Sequence, residues 1–176
     1  EGFTSPPTLV LIGGGHVNRA VSRLASLLGF RMYAVDDRVE FANKERFPEA
    51  ETLVISDYSR GLENVSVNSN TYIVVATRGH RYDDLALAAA IRTPARYIGL
   101  LGSRRKTLEI YKNLLKEKVP MERLREVYAP IGLNIGAITP EELAVSIMAE
   151  IIMVRNGGTG MSMKMNTANL NTLMKH

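Results

Sequence analysis

The sequence predicts a three-layer α/β/α domain built on a doubly wound, mostly parallel sheet. Three observations predict it. Short apolar runs alternate with segments of helical period along most of the chain. The first run ends in Gly13-Gly14-Gly15, which opens a helix. An acidic pair, Asp36-Asp37, closes the second run about 20 residues beyond those glycines.

Thr8-Leu9-Val10-Leu11-Ile12 is apolar almost throughout and bounded by glycine, as a buried parallel strand requires. Val17, Ala20, Val21, Leu24, Leu27 and Leu28 fall at helical spacing, and Gly29 supplies the left-handed residue that ends the helix. Met32 to Val35 is a second strand, which completes a βαβ unit. Thr52 to Ile55 and Tyr72 to Ala76 read as further strands, and Asp83 to Ile91 as a helix. Tyr97 to Leu101 follows as a strand. Arg104 to Lys118 is a helix with Leu108, Tyr111, Leu114 and Leu115 on its apolar positions. Thr139-Pro140-Glu141-Glu142 combines a threonine cap, an early proline and a glutamate three residues after the cap. The helix it opens runs to about Arg155 and stops before Asn156-Gly157-Gly158.

One domain is expected over residues 1–156, with residues 157–176 as a tail. In the tail Met161, Met163, Met165 and Met174 sit among Ser, Asn and Thr without a period. It reads either as a loose extension or as a segment that docks on a partner, since methionine adapts to irregular surfaces.

Composition narrows the function classes. A length of 176 residues, 45% hydrophobic and 23% charged, suits one soluble domain with a full core. The net charge of +4, from 22 basic and 18 acidic residues, is too mild and too dispersed for a nucleic-acid binder. No apolar run approaches the roughly 20 residues of a membrane span. The start, Glu1-Gly2-Phe3-Thr4-Ser5-Pro6-Pro7, has no signal-peptide pattern, and the missing initiator methionine fits a fragment or a processed chain. The absence of cysteine removes disulfides, thiolate metal sites and cysteine nucleophiles, and it fits a reducing, cytoplasmic setting.

A dinucleotide pyrophosphate needs backbone amides with no side chains in its path. Gly13 permits the turn from strand to helix, Gly14 continues it, and Gly15 lets the backbone approach phosphate. The helix starting near Val17 adds free N–H groups and the positive end of its dipole. Asn18 occupies the third glycine position of the Rossmann-type fingerprint. Asp36 and Asp37 can accept from ribose hydroxyls and repel a 2′-phosphate, a preference that the neighbouring Arg38 blurs. His16 either faces the ligand or caps the helix.

Later segments reach the same sheet edge. Thr77-Arg78-Gly79-His80 follows one strand, with Arg78 and His80 able to bind phosphate or a polar ring edge. Gly102-Ser103-Arg104-Arg105-Lys106 carries another strand into a helix capped by Ser103. Three cations at a helix N-terminus oppose the dipole, so they read either as a solvated basic turn or as a site neutralised by an anion. Pro130 to Gly136 precedes the capped helix at Thr139. No G-x-S-x-G or H-E-x-x-H pattern is present, and the three histidines, His16, His80 and His176, are far apart. No catalytic or metal-ligating set is assigned. The chain is equipped to hold a ligand more than to transform one, and the alternative is an NAD(P)-linked oxidoreductase or a nucleotide-sensing domain.

Gly13-Gly14-Gly15-His16-Val17, Val35-Asp36-Asp37-Arg38, Thr77-Arg78-Gly79-His80-Arg81-Tyr82-Asp83, Tyr97 to Lys106 and Ala129-Pro130-Ile131-Gly132-Leu133 together resemble the C-terminal Rossmann domain of the XdhC/CoxI family. The resemblance runs from about Leu9 to Asn156. It implies an accessory factor for xanthine dehydrogenase and related molybdenum hydroxylases. Such a factor binds the molybdenum cofactor, as molybdopterin or its dinucleotide, protects it and delivers it to the apo-hydroxylase. The positions carried over as ligand contacts are Gly13, Gly15, Asp36, Arg78, His80, Ser103 and Arg104. Two residues depart from the pattern: Asn18, and Asn134 where the family commonly has aspartate. Family members usually carry a cysteine-containing N-terminal half, here expected on the same or another chain. A homodimer is expected from the methionine-rich tail and the frequency of two-fold assemblies.

Overall fold

The computed structural model describes residues 5–175, apart from the side chain of His80. Five parallel strands form one sheet in the order β3-β2-β1-β4-β5: β1 (Thr8–Ile12), β2 (Arg31–Asp36), β3 (Thr52–Ile55), β4 (Thr71–Val75) and β5 (Tyr97–Leu100). The main helices are α1 (His16–Leu27), α2 (His80–Ile91), α3 (Arg104–Lys116) and α5 (Pro140–Asn156), with α4 (Met121–Arg125) and α6 (Thr167–Asn171) as single short turns.

Period-two alternation in the strands sorts the core into two layers. Leu9 and Leu11 of β1, Met32 and Ala34 of β2, and Tyr72 and Val74 of β4 pack against Val21 and Ala25 of α1 and Ile147 and Ile151 of α5. Val10, Ile12, Val35, Ile73 and Val75 face the other way, onto Leu87 and Ala90 of α2 and Ile110 and Leu114 of α3. With both faces covered, the strands need continuous apolar runs, which is what the sequence supplies.

Two connections differ from the expected strand-then-helix order. Segments 37–51 and 56–70 contain turns rather than helices. Each lacks a helical period long enough to propagate. They fill the space instead with scattered buried side chains, Ala42, Phe47 and Ala50 in the first and Tyr58, Leu62 and Val65 in the second. Helix α2 begins at His80, one turn before the expected Asp83, because its cap is Gly79 and no polar side chain announces it.

The caps at Ser103 and Thr139 form as the sequence indicates. Ser103 accepts from the Lys106 amide, and Thr139 with Glu142 makes a reciprocal capping box. Gly157, in the left-handed region at φ 76°, ends α5. Beside β5, Tyr128 pairs with Gly99 and stacks on Tyr97 at 4.7 Å. Buried Glu150 of α5 accepts from the Tyr97 hydroxyl at 2.7 Å and the Gly132 amide at 3.0 Å, which ties the loop before α5 to the core. Burial, and then the Glu150 charge, push the Tyr97 phenol well above its ordinary range. Residues 157–175 bury no side chain; Met163 is 99% exposed. Among the described residues no helix is long and apolar enough to cross a membrane.

The chain runs from β1 outward through β2 to β3, then returns to β4 on the other side of β1. The strand order therefore reverses at β1. Beyond the carboxyl ends of β1 and β4 lies the crevice in which open α/β sheets bind ligands.

Ile147 is fully buried between α5 and the sheet, whereas Val145 is half-exposed on the same helix. Ile147→Ala is expected to cost about 2–5 kcal/mol, and Val145→Ala to stay within about 0.5 kcal/mol. Urea midpoints of the two variants check this.

Candidate functional site

The crevice is a cleft of about 160 Å3 lined by Gly13, Gly14, Gly15, Asp36, Arg38, Phe41, Ala76, Thr77 and Arg78. Its floor is the turn between β1 and α1, and the three glycines there do different work. Gly13 has φ 106°, and a Cβ on it would lie 2.1 Å from the Ala76 carbonyl oxygen. A Cβ on Gly14 would lie 2.0 Å from the Phe41 carbonyl oxygen. Gly15 has nothing within 4 Å of its Cβ position. The first two glycines admit neighbouring backbone; the third faces open space. No side chain caps α1, so its first-turn amides are left to solvent or a ligand.

Asn18, in place of a third glycine, is completely buried. Its side-chain amide donates to the carbonyls of Ile12 at 3.3 Å and Gly13 at 2.8 Å, tying the helix to the end of β1. The substitution adds hydrogen bonds that glycine cannot make.

Asp36, at the end of β2, is also fully buried. Its Oδ2 accepts from the Gly14 amide at 2.8 Å and from Arg38 Nη2 at 3.3 Å. Its Oδ1 accepts from the Arg38 amide and Nε, both at 3.0 Å. Burial alone would raise this carboxyl. The hydrogen bonds from the Arg38 side chain, the Gly14 amide and the Arg38 amide outweigh it and hold the group below the usual carboxylate range. Asp37 places Oδ2 at 2.8 Å from Arg78 Nη2 and Oδ1 at 3.7 Å from Arg38 Nε. Beneath the pair, burial and then the charges of Asp36 and Asp37 push the Tyr58 phenol up.

The segment after β2 folds over the turn. Phe41 lies between two guanidiniums, with Arg38 at 3.7 Å and Arg46 at 5.0 Å from its ring centre. Arg46 donates from Nε and Nη2 to the Gly14 carbonyl at 3.2 and 3.0 Å. Arg78 stacks on Tyr82 at 4.2 Å.

Thr77 faces the cleft from the end of β4. Its amide and hydroxyl donate to Asp83 Oδ1 at 3.1 and 2.6 Å. Buried Asp83 meets Lys106 Nζ at 2.5 Å, joining the starts of α2 and α3.

A family model described as the XdhC Rossmann domain matches residues 9–151. The chain belongs to the XdhC Rossmann-domain family. The Escherichia coli K12 protein YqeB is 39% identical over 155 residues, which is 88% of this chain and 28% of that protein. A Bacillus subtilis protein, named as a probable xanthine dehydrogenase subunit, is 36% identical over 149 residues, 85% of this chain and 43% of the relative. A crystal structure described as a xanthine dehydrogenase from Bacillus halodurans superposes with a TM-score of 0.77 at 26% identity, covering 88% of this chain and 46% of that one. The XdhC domain thus spans less than half the length of each of these relatives.

The fold of the XdhC domain gathers Gly13, Gly14, Gly15, Asp36, Arg38, Thr77 and Arg78 at one cleft and leaves the remaining expected residues around it. Val17 of α1 packs against the core, and Asp37 sits behind Arg38 and Arg78. His16 does not cap α1. It lines a separate crevice with Arg19, Arg23, Pro140 and Glu141 at the starts of α1 and α5. Gly79 is the cap residue of α2 with open space around it. The side chain of His80 lies outside the described residues. Ser103, Arg105 and Lys106 line a neighbouring cleft of about 300 Å3 with Glu109.

The basic turn at α3 has a counter-ion within the chain. Lys106 reaches Asp83, Arg105 pairs with Glu109 at 3.6 Å, and Arg104 is exposed. Gly102, at φ 150°, makes room for the Lys106 stem, 2.7 Å from where its Cβ would be. Sequence reasoning missed Phe41, Arg46 and Tyr58. They lie in the helix-free segments and carry no local motif.

Gly14→Ala is expected to cost about 1–3 kcal/mol, because backbone must move to admit the methyl. Gly15→Val should cost less, about 1 kcal/mol or under, since a Cβ there meets open space and only the N-cap preference for glycine is lost. Thermal denaturation of the two variants distinguishes them. Asp36 also predicts a pH dependence. Its folded pKa is depressed, so its contribution to stability is complete above the unfolded value of about 3.9 and is lost as pH falls through the lower folded value. The wild type should therefore lose stability below about pH 4, and Asp36→Asn should lose less over the same interval, as read from chemical denaturation at stepped pH.

Proposed function

We propose that this XdhC domain holds the phosphate end of the molybdenum cofactor, as molybdopterin or its dinucleotide, for a molybdenum hydroxylase of the xanthine dehydrogenase type. It keeps the cofactor during maturation and hands it to the apo-hydroxylase. The observation that carries this reading is the open backbone at Gly15 beside the uncapped start of α1. The donor set suits a phosphate or pyrophosphate: first-turn amides from the chain, with the guanidiniums of Arg38 and Arg78 at the rim of the same cleft. When bound, the cofactor supplies the molybdenum chemistry. This chain's residues bind and orient the anionic end. The names of the Bacillus relatives support the link to xanthine dehydrogenase.

The partners in this reading are the apo-hydroxylase and a cysteine-containing N-terminal half, on the same or another chain. The site residues are those expected from the sequence, with the glycine turn, Arg38 and Arg78 as primary contacts. The domain ends near residue 156. The tail, which exposes Met161, Met163, Met165 and Met174, docks on a partner, and two copies associate as a homodimer. A cytoplasmic setting accords with the absence of cysteine.

A second reading, an NAD(P)-linked oxidoreductase, draws on the reversal of strand order at β1, which serves nicotinamide dinucleotides equally. Mass spectrometry of small molecules co-purified under native, anaerobic conditions, followed by titration with the identified species, decides between them. A molybdopterin species that binds the wild type and not Gly15→Val is expected. NAD(P)H binding with hydride transfer to a carbonyl compound, and no molybdopterin bound with or without the N-terminal half, would replace the first reading with the second.

A further inference from the structure

We infer that the rim of the cleft at the end of β2 is built to receive a phosphate monoester rather than the free diol of a ribose. This rests on the nucleotide-type cradle proposed above and specifies the group that docks beside it. In a dinucleotide-binding fold of this kind, a carboxylate at the end of the second strand normally accepts from the ribose hydroxyls. Here that acceptor is already spent. A carboxylate offers about four lone-pair positions. Asp36 receives four donors from its own chain: the Gly14 amide, the Arg38 amide, and Arg38 Nε and Nη2. Asp37 gives no accessible substitute: Oδ2 is held by Arg78, and Oδ1, which has no hydrogen-bond partner, is buried out of a ligand's reach.

What remains at the rim is donors. The side chains of Arg38 and Arg78 are 28% and 32% exposed, and both line the cleft. Each guanidinium has five N–H groups. Asp36 takes two from Arg38, and Asp37 takes one from Arg78. Arg46 adds a third guanidinium close by, held at the Gly14 carbonyl. A diol brought here could accept from the guanidiniums, but its own O–H groups would find no open acceptor. A phosphate monoester brings only acceptors and negative charge. Among the ligands considered above, this favours NADP over NAD.

Titration of the chain with 2′,5′-ADP and with ADP, by calorimetry at fixed salt, tests the inference. The 2′-phosphorylated nucleotide should bind at least about tenfold more tightly, a difference of about 1.4 kcal/mol. Arg78→Gln should reduce that ratio, weakening 2′,5′-ADP more than it weakens ADP. Arg38→Ala removes the guanidinium and frees Asp36, and should invert the preference toward ADP. Thermal denaturation checks folding, and if Arg38→Ala does not fold, the wild-type ratio and Arg78→Gln still decide. Equal or tighter binding of ADP by the wild type, or a ratio untouched by Arg78→Gln, overturns the inference and leaves the cradle standing. Failure of both nucleotides to bind overturns the inference and the cradle together.

Discussion

A single buried carboxylate connects the parts of this molecule that matter for its site. Asp36 ends β2, holds the amide of Gly14 in the turn after β1, and is neutralised by Arg38 in the segment that closes over that turn. A fully buried charge is tolerable only when its lone pairs are satisfied and a counter-charge is close. Both conditions are met within the chain, so the glycine turn, the strand end and the covering segment are fixed relative to one another before any ligand arrives.

The glycines gain their meaning from that arrangement. Gly13 and Gly14 are needed where neighbouring backbone comes too close for a Cβ, at Ala76 and Phe41. Gly15 is needed only if something outside the chain approaches. The same distinction explains Asn18. Where a glycine would allow helix and strand to touch, its amide joins them through the carbonyls of Ile12 and Gly13. Close approach and hydrogen bonding are two solutions to the same packing problem, and this chain uses the second.

Charge at the sheet edge follows similar logic. Cations at the start of α3 oppose the helix dipole. Lys106 is nonetheless stable there, because Asp83 is buried beside it and is itself held by Thr77. The pair fixes the spacing between α2 and α3 and leaves Arg38 and Arg78 as the guanidiniums at the glycine cleft. In this XdhC-family fold the internal ion pairs set the shape of the sheet edge.

The order of strands and helices, the glycine turn, and the caps at Ser103 and Thr139 were legible in the amino-acid sequence, because each depends on residues a few positions apart. Apolar period, cap chemistry and turn residues are local signals, and the structure reproduces them. The helix-free segments were not legible, since Phe47 and Tyr58 are placed by the core they fill and not by any pattern of their own. Nor was the state of the site. The Asp36 bond to Gly14 joins residues 22 apart and the Arg46 bond to Gly14 residues 32 apart. The sequence by itself determined that the glycine turn, Asp36, Arg38, Thr77 and Arg78 reach one sheet edge; only the tertiary structure brought Phe41 and Arg46 to it and decided which groups were already consumed by one another, because hydrogen bonds and ion pairs depend on distance in space and not along the chain.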